Sequence, residues 1–134
     1  MSSDSDPQDQ ASLIAEIDHV LKAGDRDGLA AKLTVLHPAE IADALEAFPH
    51  EQRITLWTLV DPEVQGEVLK ETHDEVRAQL ISKMDAQQLV SAVENLDLDE
   101  VADLQAELPP AVVEAVLTAM DHQRRRRFET VRAY

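Results

Sequence analysis

The residues best placed to do chemistry are carboxylates. In the stretch DLDEVADL, Asp99 and Asp103 stand four apart and share one face of a helix, while Glu100 and Asp103 stand three apart and are also neighbours. Ionised carboxylates are hard oxygen donors, suited to a hard divalent cation that keeps several of its waters and takes one or two protein ligands. The stretch carries no nearby Lys or Arg to neutralise them. Its spacing is not that of a self-contained EF-hand loop, so a cation held here would need further ligands from another domain. A structural account competes with this one, because acidic residues at the start of a helix, such as Asp99 and Glu100, are favoured by the helix dipole alone.

Other chemistry finds little support. Histidines stand at 19, 37, 50, 73 and 122, but no two form the i, i+4 pair of a helical zinc site, and four lie near expected helix starts, where they are solvated or capping. There is no Cys, which removes disulfides and thiolate metal sites and fits a reducing compartment. No glycine-rich phosphate loop, nucleophile motif or paired acid and base is present, so the chain reads as having no enzymatic activity. Trp57 falls on an apolar stripe beside Leu56 and Val60 and reads as a core anchor. The run Arg124 to Arg127 reads as a solvated helix leading out of the domain rather than as a lipid or nucleic-acid patch.

The whole chain agrees with a cation-facing, helical reading. Its formal charge of −15 opposes nucleic acid, whose phosphates require a basic surface. Acidic residues outnumber basic ones 17 to 4 between positions 37 and 108, against 7 to 3 before and 3 to 5 after. No apolar run reaches the roughly 18 to 20 residues needed to span a bilayer, and the start, MSSDSDPQDQ, is not a basic leader. The chain is therefore expected to be soluble, with no direct membrane insertion. Three Gly among abundant Ala, Leu, Glu and Gln favour helix, and 44% apolar residues can build an aliphatic core.

These carboxylates sit in a twelve-residue repeat that starts at His37: HPAEIADALEAF, PHEQRITLWTLV, DPEVQGEVLKET, HDEVRAQLISKM, DAQQLVSAVENL, DLDEVADLQAEL, PPAVVEAVLTAM and the partial DHQRRRRFETVR. Every piece begins with Asp, His or Pro, and its positions 5, 8, 9 and 12 tend to be apolar, as in Ile41, Leu45 and Phe48, or Leu89, Val93 and Leu96, or Val113, Val116, Leu117 and Met120. Asp61, Asp85, Asp97 and Asp121 can cap helices, and Pro38, Pro62 and Pro110 suit a first helical turn. Each piece is thus one short helix. Helices this short are marginal alone and must bury their stripes against neighbours. Ahead of the repeat, Ser12 to Ala23 reads as a helix ended by Gly24, with Leu13, Ile17, Val20 and Leu21 on one face, and Asp25 to Leu36 as a second helix with Leu29, Leu33 and Leu36 inward. The expected fold is all-α, a right-handed, solenoid-like superhelix of about ten short helices over residues 12–134, behind a disordered acidic tail over residues 1–11.

The stretches LHPAEIADALEAFP, LVDPEVQGEVL and LDLDEVADLQAELP, in this order and at this step, resemble the amino-terminal domain of the MgtE family of magnesium channels. The ending RRRRFETVRAY is similar to the segment that leads from that domain into a pair of CBS domains. The resemblance implies a cytoplasmic regulatory domain on the inner face of the bacterial inner membrane. Its implied partners are a CBS pair and a membrane pore of the same polypeptide, expected after residue 134, within a homodimer. It implies that Mg²⁺ binds weakly at interfaces shared with the CBS pair and holds the pore closed. Asp99 and Asp103 fall on positions that contribute to Mg²⁺ binding, Glu67 on another acidic position of that kind, and Glu100 is their acidic neighbour. The alternative is a metal-independent interaction superhelix, similar to the short-helix domains of the flagellar rotor protein FliG.

Overall fold

The first residue of a twelve-residue piece breaks the helical path and stands in extended backbone at the start of the next helix, at His37, Pro49, His73, Asp85 and Asp97. The computed structural model describes residues 7–118 and residue 121, with no strand among them. The helices are α1 (Pro7–Lys22), α2 (Arg26–Thr34), α3 (Pro38–Ala47), α4 (His50–Thr58), α5 (Pro62–Glu71), α6 (Asp74–Ser82), α7 (Ala86–Val93) and α8 (Leu98–Leu104). A 3₁₀ turn (Gln105–Glu107) and a helix over residues 110–118, α9, follow. The N-caps His37, Pro49, His73, Asp85 and Asp97 are all extended in backbone and keep the twelve-residue step. In α7 the cap is reciprocal: the Asp85 carboxylate accepts from the Gln88 N–H at 2.8 Å, and the Gln88 side chain accepts from the Asp85 N–H at 2.9 Å. The tenth expected helix lies outside the described residues apart from Asp121.

The chain divides into two units, Met1–Asp61 and Pro62–Tyr134. In the first, α1 packs on α2 and α3 on α4. Ile17, Leu29, Leu33, Ile41, Leu45 and Trp57 are all buried there. Gly24 ends α1 in the left-handed region, at φ 73°, which a glycine adopts without a Cβ penalty. Helix α1 begins at Pro7, earlier than the expected Ser12, so Pro7 to Ala11 belong to a helix. A proline is well suited to a first turn, where no partner exists for its missing N–H. Helix α2 stops at Thr34, which leaves Leu36 half-buried rather than inward and Val35 exposed.

In the second unit α5 packs on α6 and α7, and α8 runs into the 3₁₀ turn. Val68, Leu80, Leu89, Val93, Leu104 and Val116 line its interior. The stripe of α9 differs from the expected one. Val112 and Val116, four apart, are buried, while Val113 is half-buried and Leu117 is exposed; Met120 lies outside the described residues. No helix among the described residues is long and apolar enough to cross a membrane.

A candidate carboxylate site governed by Lys70

The acidic residues singled out in the sequence all belong to the second unit, on α5 and α8. Helix α5 lies against α7 at a close approach at Gly66. A Cβ at this position would stand 2.2 Å from the Ala92 carbonyl oxygen of α7 and 3.2 Å from Leu96 Cγ, so only a glycine lets α5 lie this near. One helical turn beyond the contact on α5 lies Lys70. One turn beyond Leu96, on α8, lies Glu100. The packing of an apolar core therefore places a lysine against a carboxylate thirty residues away in sequence.

Lys70 Nζ donates to Glu100 Oε2 and stands 3.5 Å from Glu67 Oε2. The other Glu100 oxygen, Oε1, accepts from the Asp97 N–H at 3.0 Å, closing the N-terminus of α8. Both oxygens of Glu100 are thus engaged. The Lys70 ammonium, and after it the Asp97 N–H, hold the Glu100 carboxyl below the usual carboxylate range. In return the hydrogen bond it donates to Glu100 holds the Lys70 ammonium above the usual lysine range; loss of solvent opposes this and Glu67 reinforces it.

This overturns the expectation that the cluster has no neutralising cation. Lys70 is remote from DLDEVADL in the chain but adjacent to it in the fold. The structure divides the four acids into two pairs. Glu67 and Glu100 share Lys70, whereas Asp99 and Asp103 are exposed and have no partner among the described residues. Asp103 also lies in the last turn of α8. A carboxylate there faces the negative end of the helix dipole. No group of three or more His, Asp or Glu side chains among the described residues closes to the geometry of a metal site.

In each unit an arginine closes a helix C-terminus. Arg77 donates from Nε to the Leu69 carbonyl at 2.7 Å and from Nη2 to the Thr72 carbonyl at 2.6 Å, which satisfies the C-terminus of α5. Its Nη1 reaches Glu107 at 3.4 Å and Asp74 at 3.3 Å. Arg53, twenty-four residues earlier, treats the end of α3 in the same way, donating to the Leu45 and Phe48 carbonyls at 2.7 and 2.9 Å. Sequence reasoning missed Lys70, Arg77 and Gly66 as functional positions. A signal for the arginines was present: both occupy the fifth position of their pieces, which is apolar at Ile41, Leu89, Val101 and Val113. Of the four basic side chains between positions 37 and 108, only that of Lys83 makes no hydrogen bond or ion pair among the described residues.

A repeat of short, capped helices whose acidic surface is tied down by a few internal cations defines an all-α helical-repeat domain. The chain belongs to the family of MgtE intracellular N domains, which it matches over residues 36–134, from the residue before the first twelve-residue piece onward. This is the N-terminal domain family of the MgtE magnesium transporters. Among curated proteins, none matches the chain.

Magnesium is the ion this family implies, and the acids differ in how they fit it. Asp99 and Asp103 suit a hydrated cation: they share a face, they are solvated, and no cation among the described residues pairs with them. Glu100 does not fit while Lys70 and the Asp97 N–H occupy its oxygens.

Proposed function

We propose that this chain is the cytoplasmic magnesium-sensing and gating domain of a magnesium transporter, and that Asp99 and Asp103 are its sensing residues. The observation that carries this reading is the unpartnered pair on α8, two carboxylates one turn apart within a strongly acidic segment. Bound Mg²⁺ supplies the positive charge that lets two acidic surfaces meet. Without it, Asp99 and Asp103 repel the carboxylates of an adjoining CBS pair, and the domain stands away from it. With that repulsion neutralised, α8 becomes part of an interface, and the closed pore is stabilised to the extent that the closed state binds the ion more tightly. The domain offers one or two ligands and the CBS pair the rest, so its own affinity is low.

Titration of the chain with MgCl₂ at constant ionic strength, followed by amide NMR shifts, tests the reading. Shifts centred on residues 99 to 103 and lost in Asp99→Ala and Asp103→Ala are expected. A flat response in the unaltered chain and in its fusion to the CBS pair would refute it.

A second reading has an observation in its favour. Lys70 already neutralises Glu67 and Glu100, so part of the acidic face needs no metal. On that reading the helices dock a partner protein independently of metal, and binding to the CBS pair would persist in EDTA.

A further inference from the structure

We infer that the groove between α1 and α3 in the first unit is a docking site for a basic amphipathic helix of a partner protein. The groove has a volume of about 440 Å³ and an apolar floor, to which α1 contributes Leu13 and Ile14 and α3 contributes Ala44 and Ala47. Ala44 is buried, Leu13 and Ile14 are half-buried and Ala47 is exposed, so part of this floor faces solvent. The two alanines, three apart on one face of α3, leave space that larger side chains would fill.

The rim is acidic. Glu40, Asp43 and Glu46 of α3 line the groove, and no Lys or Arg among the described residues does. Glu40 accepts from the His37 N–H at 2.9 Å and Asp43 from the Gln10 side chain at 3.2 Å. Both donors are uncharged, and neither acid is in an ion pair among the described residues. Lys22 and Lys32 are engaged by Asp18 and Glu16 at 2.9 and 3.0 Å, and Arg53 by the end of α3. An apolar strip edged by uncompensated carboxylates is complementary to a helix with apolar residues at i, i+3, i+4 and i+7 flanked by Lys or Arg. The same charge repels the phosphates of nucleic acid and of an anionic bilayer, so the surface selects a protein helix. Apolar burial supplies the affinity, and the rim fixes orientation and speeds encounter. The site uses none of Asp99, Asp103 and Lys70, and it stands or falls apart from magnesium sensing.

The test uses a short synthetic peptide of Leu and Lys with Leu at that helical spacing, and a second of the same composition in scrambled order. Each is titrated into the chain in EDTA and followed by amide NMR shifts. The ordered peptide is expected to shift residues 10–14 and 40–47 and to bind roughly tenfold more tightly than the scrambled one, the effect of burying about one leucine side chain. Ala47→Arg, which fills the groove and reverses its charge from an exposed position, should abolish these shifts with the circular dichroism unchanged. Asp43→Asn keeps an acceptor for Gln10 and should weaken binding roughly two- to fivefold, the range set by exposed ion pairs. Glu75→Gln removes the same charge from an exposed position on α6 and reports the general electrostatic effect. Equal binding of the two peptides, shifts scattered over the acidic surface, equal weakening in Asp43→Asn and Glu75→Gln, or no shifts at all overturns the proposal. So do shifts of the same residues on raising the concentration of the chain without peptide, which would assign the groove to a second copy.

Discussion

Lys70 on α5 reaches across to Glu100 on α8 and fastens the acidic surface of the second unit to its own core, thirty residues apart in the chain. The pair is also a helix-capping device, because the carboxylate that holds Lys70 holds the Asp97 N–H as well.

This coupling makes stability depend on pH. The folded chain holds the Glu100 carboxyl below its unfolded value, so its contribution is fully present above the ordinary carboxylate range and is lost as the pH falls through the folded value. Glu100→Gln keeps an acceptor for the Asp97 N–H, as Gln88 does for Asp85, and removes only the charge paired with Lys70. Urea midpoints of the variant should lie below those of the unaltered chain at pH 7 and converge with them below the ordinary carboxylate range. A gap that persists at low pH would assign the effect to shape rather than charge.

Gly66 predicts a reversal of helix propensity. Alanine favours a helix by about 1 kcal/mol over glycine, yet here its Cβ would meet the Ala92 carbonyl at 2.2 Å. Gly66→Ala should destabilise the chain by about 1–3 kcal/mol, the usual cost of overpacking. The obstacle is backbone, so Ala92→Gly in the same chain should not restore stability. Thermal or urea unfolding reads both. Stabilisation by Gly66→Ala would contradict the close approach of α5 and α7.

Arg77 predicts that arginine and lysine are not equivalent in this fold. Its planar fork serves the carbonyls of Leu69 and Thr72 together while Nη1 faces Glu107. Arg77→Ala should cost about 1.5–3 kcal/mol, the range for hydrogen bonds to a charged group. Arg77→Lys should recover only a part of this, because a single ammonium cannot span the acceptors. Chemical denaturation of the two variants side by side distinguishes the outcomes.

Trp57, 3% exposed, has a buried indole Nε1 with no acceptor among the described residues. Its emission should be blue-shifted in the folded chain and move to the red on unfolding. Trp57→Ala should cost about 3–5 kcal/mol through lost packing. Trp57→Phe should cost much less, since it also removes a buried donor that has no partner. Comparable losses in the two variants would point to an acceptor for the indole.

The helices and their ends were legible in the sequence. Asp85 and Asp97 cap, Pro38 and Pro62 start first turns, and Gly24 ends α1, because all of these act on backbone groups within a few residues. The apolar stripes of α3 and α7 were legible as well, since helical periodicity is a local property: Ile41, Leu45, Leu89 and Val93 are buried as the pattern requires. In the stripe of α9 Val116 is buried as expected, but Val112 takes the place of Val113, and Leu117 is exposed. Adjacent valines leave a choice that only packing makes. The charge state of the acidic face was beyond the sequence altogether. DLDEVADL is unneutralised along the chain, yet Lys70 meets Glu100 because Gly66 lets α5 approach α7 and Leu96. Electrostatics follows distance in space, so the tertiary structure alone determined which carboxylates are tied and which stand open to a cation.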